Sequence, residues 1–248
     1  MSELNLEKLN TLAANKIKPF LDDVLSKFKN KIHSIHITGS ATNDDFDEKV
    51  SDVNSIIVLK EMDLQVLELL APLGKKYNKH KVAAPLIMTP DYISTSLDVF
   101  PIEFLNFKLI HSTVMGKDIL ESMEFDRMDL RHQCERELKA KLIWLRQGYL
   151  SSMGDRKMLT DGFTGSITGY IPLFRGVISL LGKEPPVIQS KVMASLSEAT
   201  NINTEVFSKI LKARHEKVKL SIDELNTIFE DYYTATEKIG KLVDEIKE

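Results

Sequence analysis

The chain has 248 residues, of which 43% are hydrophobic and 28% charged, with a formal net charge of −3. These values are typical of a globular protein with one or two domains, and the slightly acidic balance argues against general nucleic-acid binding. The single cysteine excludes an internal disulfide, no apolar run is long enough to span a membrane, and no signal peptide is expected. We therefore expect a cytoplasmic protein.

The first half of the chain alternates between helical and strand patterns. Helical stretches repeat apolar residues at spacings of three and four, whereas alternating or β-branched runs indicate strands. Pro19 should kink or split the first helix, and Pro101 should place the fourth strand at an edge or mark its start. In chain order, the patterns predict a helix over 4–28, strands over 31–38 and 53–59, a helix over 63–77, and strands over 84–88 and 99–109.

The second half of the chain shows helical spacing only. The helices are predicted over 129–150, 158–182, 187–199, 203–217 and 221–247. The sequence thus predicts an α/β (α+β) N-terminal domain with a mixed sheet over residues 1–120, followed by an all-α helical bundle over 121–248. The cleft between the two domains is the expected ligand site.

Polar residues stand where the predicted strands begin and end. Gly39 and Ser40 follow the first strand, and Asp52 and Asn54 open the second, where residues two apart share a face about 7 Å apart. A glycine lets a phosphate approach the backbone, and a serine donates from its hydroxyl and amide. Glu103, on the fourth strand, would face Asp52 if that strand lies beside the second. Together these residues predict a Mg²⁺ site beside a phosphate cradle, although each alone is common in ordinary turns and strands.

Other candidate residues carry weaker signals. Lys141, with Lys139 and Arg146, can reach a triphosphate from the first helix of the second half, although a solvated helix face is the more common arrangement. Cys134 lies on the apolar stripe of the same helix, where buried packing is expected. The histidines lack the spacing of a helical zinc pair, so we expect surface or satisfied core histidines at 33, 36, 80, 111 and 132.

Residues 35–59, and more loosely 99–120, resemble the nucleotidyltransferase superfamily, which includes polymerase β and the aminoglycoside nucleotidyltransferases. That family's pattern is a strand, Gly-Ser, about ten residues, Asp-x-Asp opening the next strand, and a third carboxylate on a later strand. Gly39, Ser40 and Asp52 match it. Glu103 is the best candidate for the third carboxylate, with Asp98 as the alternative. The helical half is similar to the substrate-binding bundle of the aminoglycoside-modifying members.

The resemblance implies transfer of a nucleoside monophosphate from an NTP to a hydroxyl of a small molecule or protein. Gly39 and Ser40 would hold the β- and γ-phosphates, with Lys141 as a further nucleotide ligand. Mg²⁺ would be bound by Asp52, Glu103 and the residue at position 54, and Glu103 can instead act as the base. The acceptor would attack the α-phosphorus in line, with pyrophosphate leaving.

Asn54 stands where the family has its second aspartate, and the Gly-Ser pair is followed by an acidic segment over 41–46. The amide oxygen of Asn54 can bind Mg²⁺ but lacks a unit charge, and a unit charge pair ~4 Å apart is worth about 4 kcal/mol at an effective dielectric of ~20. Three functions stay open: an active nucleotidyltransferase, a catalytically impaired nucleotide-binding or regulatory protein on the same fold, and a helical interaction module. The sequence also does not identify the nucleotide or the acceptor, and it does not decide whether the chain forms a homodimer.

Overall fold

The computed structural model describes residues 4–216 and 220–247. The chain divides into two compact units, which we call the sheet unit (Met1–Leu97 with Phe104–Glu124) and the helical unit (Asp98–Glu103 with Phe125–Glu248). Within the described ranges, every helix is too short or too polar to cross a membrane.

The sheet unit is built on a four-stranded mixed sheet. The strand order is β3 (Leu86–Met88), β2 (Asn54–Leu59), β1 (Ile32–Thr38) and β4 (His111–Gly116), in which β3 runs parallel to β2 and the other neighbouring pairs are antiparallel. The sheet confirms the predicted fold class for this half. In chain order the elements are α1 (Thr11–Phe28), β1 (Ile32–Thr38), β2 (Asn54–Leu59), α2 (Leu64–Asn78), β3 (Leu86–Met88), α3 (Pro90–Ser94), α4 (Pro101–Leu109) and β4 (His111–Gly116).

One face of the sheet packs against α1 and α2. Ile37 on β1 and Ile57 on β2 are fully buried in this core, and α1 continues without interruption through Pro19. Because side chains alternate along a strand and cross-strand partners share a face, the intervening residues lie on the opposite side. We call that side the polar face; it carries Ser34, His36, Thr38, Asn54, His111 and Thr113.

The predicted strand over 99–109 is wrong, because this segment forms helix α4 and the fourth strand follows it. Pro101 occupies the first helical position, where a missing N–H costs nothing and the fixed φ suits the helix. The next N–H, that of Ile102, donates to Gln133 Oε1 at 2.7 Å. An apolar run of this length fits a buried helix as well as a strand.

The helical unit confirms the predicted all-α half, within the residues described. The predicted helix over 158–182 is divided in two by a 3₁₀ turn at Ile167–Gly169. Cys134 is buried as expected and packs where α5 (Arg127–Ser152) meets α7 (Tyr170–Leu180), since a Cβ on Gly176 would lie 2.9 Å from its Sγ. The helices are α5 (Arg127–Ser152), α6 (Arg156–Ser166), α7 (Tyr170–Leu180), α8 (Gln189–Thr200), α9 (Glu205–Glu216) and α10 (Ile222–Asp244).

Candidate functional site

The Gly39-Ser40 pair forms a tight turn at the end of β1. Gly39 has a φ of +73°, a conformation that favours glycine. Its N–H donates to the Ile110 carbonyl at 3.1 Å, and its own carbonyl accepts from Thr42 Oγ1 at 2.9 Å. The backbone groups of Gly39 are therefore engaged within the protein, and the partly exposed Ser40 is the better placed of the two to donate to a ligand.

The opening of β2 holds Asp52 and Asn54 on the side away from the core. Val53, between them, is fully buried, its N–H donates to the Lys81 carbonyl at 2.7 Å, and its carbonyl accepts from the Ala83 N–H at 3.0 Å. Both polar neighbours are exposed as a result. This anchoring confirms the predicted direction of Val53 into the core.

Asn54 lies against the Gly39 turn. It pairs with Thr38 across β1 and β2, and a Cβ built on Gly39 would lie 3.9 Å from Asn54 Nδ2. The structure therefore brings together the end of β1 and the start of β2, two of the segments that the sequence selected. Residues two apart in an extended chain, such as Asp52 and Asn54, share a side and lie about 7 Å apart.

Glu103 does not lie on a strand beside β2. It stands in the first turn of α4, in the helical unit, where its carboxylate accepts from Gln133 Nε2 at 2.7 Å. The strand beside β2 is β3, and the register pairs Ile56 with the apolar Leu86, while Val53 is bridged to Val82. The predicted strand position of Glu103 is thus wrong, and its metal-binding role stays a prediction, as does that of the exposed Asp98.

A histidine cluster on the polar face went unrecognised in the sequence. His36 and His111 were expected to be surface or satisfied core histidines; their rings lie 5.9 Å apart, and together with Asp118 they bring ligand-type atoms within 4.8 Å of one another. His80 and His132 are exposed, as expected. The pairing of β4 with β1 creates the cluster, so the misplaced fourth strand concealed it.

Hydrogen bonds fix the protons in this cluster. His111 Nδ1 lies 3.1 Å from the Lys108 carbonyl, which can only accept, so this nitrogen carries a hydrogen. His111 Nε2 lies 3.0 Å from each carboxylate oxygen of Asp118. His36 Nδ1 is 2.7 Å from Thr113 Oγ1, and its Nε2 is 2.9 Å from Ser34 Oγ.

The pKa values follow from burial and these bonds. Burial of His36 lowers its pKa from 6.5 to about 4, so the ring is neutral at pH 7. Burial opposes the charge on Asp118, but hydrogen bonds from His111 and Thr113 outweigh it and lower the pKa to about 2. The cluster thus combines one neutral imidazole with a carboxylate that stays ionised.

Lys141 lies within the helical unit and is only 8% exposed. Its Nζ stands 4.5 Å from the centroid of the Tyr170 ring, and burial lowers its pKa. Lys139, by contrast, is exposed and pairs with Glu135, whereas Arg146 lies over the Tyr233 ring at 5.9 Å. A solvated helix face therefore describes Lys139 but not Lys141, whose binding to a nucleotide stays a prediction.

Comparisons with known proteins identify the fold. No protein-family model matches the chain, and no curated protein matches it by sequence. Among solved structures, the chain is similar to spectinomycin adenyltransferase AAD(9) from Enterococcus faecialis, in a crystal structure with ATP and spectinomycin. The TM-score is 0.56 at 16% identity, over 92% of this chain and 98% of the other. The chain therefore has a nucleotidyltransferase fold, with a mixed-sheet half followed by a helical half.

Proposed function

We propose that the protein binds a nucleoside triphosphate on its sheet unit, with the phosphates at the Gly39-Ser40 turn. The observation that carries this proposal is the position of Asn54, whose amide nitrogen lies against the left-handed Gly39 at the exposed ends of the two central strands. The fold supports it, since the similar AAD(9) structure was determined with ATP.

The chemistry of Asn54 suits a phosphate oxygen. Its Nδ2 is a neutral donor that faces the turn, whereas an aspartate at this position would repel a phosphate unless a cation lay between them. The partly exposed Ser40 adds a hydroxyl at the same turn. Nucleotide binding by this chain is therefore expected to depend less on metal than it would with two carboxylates.

The residues at these strand ends fit one Mg²⁺ brought by the nucleotide, with Asp52 as the protein carboxylate and Asn54 as a neutral oxygen donor. They do not fit a pair of metal ions, because the neighbouring strand β3 consists of Leu86, Ile87 and Met88 and supplies no carboxylate. When bound, Mg²⁺ would screen the phosphate charge. Of the two functions on this fold, the donor set favours a catalytically impaired nucleotide-binding or regulatory protein.

Nucleotidyl transfer is the second candidate function. An acceptor hydroxyl, on a small molecule or a protein, would attack the α-phosphorus while the bond to the leaving pyrophosphate breaks, and the hydroxyl proton would pass to a carboxylate. Asp52 is the carboxylate at these strand ends, and a metal-binding or base role for Glu103 or Asp98 stays a prediction. The fold of the AAD(9) enzyme favours this candidate.

Nucleotide titrations test the proposal. ATP, GTP, CTP and UTP are titrated with and without Mg²⁺ while thermal unfolding is followed, because a ligand at 100 times its Kd adds about 2.7 kcal/mol to stability. Stabilisation by at least one nucleotide, reduced in Ser40→Ala, is expected. If no nucleotide stabilises the protein, both candidate functions are wrong.

Asn54→Asp sharpens the test. The new carboxylate should weaken nucleotide binding without Mg²⁺ and strengthen it with Mg²⁺, because the added charge repels phosphate and attracts the cation. The exposed Asn78→Asp carries the same charge change on α2 and serves as the control. A pyrophosphate-release assay over a panel of acceptors separates the functions: release by the unmodified protein would establish transfer, and binding without release would support the impaired function.

A further inference from the structure

The helical unit contains a pocket of about 440 Å³ between α5, α6 and the start of α7. Its walls are largely apolar and aromatic, and include Trp144, Met158, Phe163 and Tyr170. Trp144 and Met158, which lie at the rim, are 63% and 54% exposed. The size and lining are those of a small-molecule site, and we call it the Lys141 pocket after its charged residue.

Lys141 is the only charged residue among those that line the pocket. The side chain is buried against the face of Tyr170. Within residues 4–216 and 220–247, no carboxylate lies within 4.0 Å of its Nζ, and the nitrogen has no hydrogen-bond acceptor. An ammonium carries three donors, so the pocket holds a buried cation whose donors are free for a ligand.

Glycines keep the pocket open. Gly148, Gly162 and Gly165 line it, and a Cβ at any of them would meet nothing within 4 Å. Gly162 and Gly165 lie inside α6, where glycine is less favourable than alanine. At Gly169, a Cβ would lie 3.2 Å from Lys141 Nζ and crowd the charged group. A side chain at the first three positions would therefore extend into open space at the pocket wall, and one at Gly169 would crowd the lysine.

We propose that the Lys141 pocket binds a small organic monoanion, a carboxylate carried on an apolar body. The carboxylate would accept from Lys141 Nζ, and the apolar part would pack on Phe163 and Tyr170 beneath Trp144. The pocket supplies one positive charge, and the Ser166 hydroxyl is already bonded to the Phe163 carbonyl and to the Tyr232 hydroxyl, each at 3.0 Å. A single negative charge matches this lining better than a polyphosphate does. The proposal is independent of nucleotide binding by the sheet unit.

A matched pair of probes tests the proposal by calorimetry on the full chain. The acid is 4-phenylbutyrate, and the neutral analogue is 4-phenyl-1-butanol. The acid should bind at least about tenfold more tightly, because the alcohol can accept a hydrogen bond from Lys141 but has no negative charge to pair with the ammonium. The chain has one tryptophan, Trp144, so a change in its fluorescence locates the bound probe at the pocket.

Variants test whether the preference for the acid comes from Lys141 and whether both probes bind in the pocket. Lys141→Met should remove the preference for the acid while leaving the alcohol unchanged, and Lys139→Met, two residues away and exposed, should behave like the parent. Gly165→Leu should weaken the binding of both probes by filling the pocket, and this variant still tests the proposal if Lys141→Met fails to fold. Equal affinities for acid and alcohol, an unchanged preference in Lys141→Met, or displacement of the acid by ATP would each overturn the proposal.

Discussion

The sheet unit and the helical unit place their charges in opposite ways. At the opening of β2 the polar groups are exposed, and a neutral amide, Asn54, stands where a second carboxylate was expected. In the Lys141 pocket the surroundings are apolar, and among the residues that the structure describes no carboxylate lies within 4.0 Å of the buried lysine nitrogen. A shortage of negative charge at exposed strand ends weakens metal binding, whereas a buried positive charge that forms no ion pair strengthens anion binding. The two units are therefore expected to respond differently to substitution and to pH.

The largest effect is expected from Gly116→Ala in the sheet unit. Gly116 has a φ of +80°, and a Cβ there would lie 2.2 Å from the His33 carbonyl oxygen and 2.8 Å from the Ser34 Cα. These backbone atoms of β1 and the backbone of Gly116 on β4 cannot move apart without breaking the pairing of the two strands. We expect a loss on the order of 4 kcal/mol in the free energy of unfolding, measured by urea denaturation. A loss below about 1 kcal/mol would show that this edge of the sheet adjusts freely.

The second effect is a pH dependence that arises from His36. Its folded pKa is about 4 and its ordinary value is 6.5, so the unfolded chain binds more protons between these values. The contribution of His36 to the free energy of unfolding is fully present above pH 6.5. It falls by on the order of 3 kcal/mol as the pH drops towards 4. Asp118, with a folded pKa of about 2, adds a further loss below about pH 3.8.

Unfolding free energies measured at a series of pH values test this dependence. His36→Leu should flatten the curve between pH 6.5 and 4, and the exposed His80→Leu should leave it unchanged. A slope that persists in His36→Leu would place the responsible group elsewhere.

The third prediction concerns the contact between α5 and α7. Gly176→Ala would put a methyl group 2.9 Å from Cys134 Sγ, so we expect a loss of about 1–3 kcal/mol from overpacking. Cys134→Ala in the same chain should recover part of this loss, because it removes the sulfur. A double-mutant cycle on thermal unfolding measures the coupling, and additive losses would refute the contact.

The smallest effect has the opposite sign. Gly162→Ala should stabilise the helical unit by up to about 1 kcal/mol, since alanine favours a helix and its Cβ would meet nothing within 4 Å. Thermal unfolding gives the change in stability, and titration with 4-phenylbutyrate gives the cost in binding. A gain in stability with unchanged binding would show that the glycine is not needed for space in the pocket.

Strong periodicity made most of the fold predictable. Strands β1 and β2 came from alternating and β-branched runs, and the helices of the second half came from regular apolar spacing. The segment over 99–109 was wrongly predicted as a strand because its apolar run suits a strand or a buried helix, and Pro101 fits a strand edge as well as a helix start. The placement of Glu103 failed with it.

The candidate site was predictable only in part. The Gly39 turn and Asn54 are close in sequence and joined by one strand pairing, so their proximity followed from local pattern. The His36 and His111 cluster depends on the register of β4 against β1, which no local pattern specifies. The burial of Lys141 depends on which face of α5 meets Tyr170, and a charged residue on a helix is usually exposed.

The buried Cys134 offers a way to time the opening of the helical unit. Its surroundings raise the pKa of the thiol well above the ordinary range, chiefly through desolvation, so the reactive thiolate is scarce in the folded protein. As the chain's only cysteine, it can react with an alkylating reagent only when α5 separates from α7. The rate of alkylation therefore measures how often the helical unit opens locally, and a ligand in the Lys141 pocket should lower this rate.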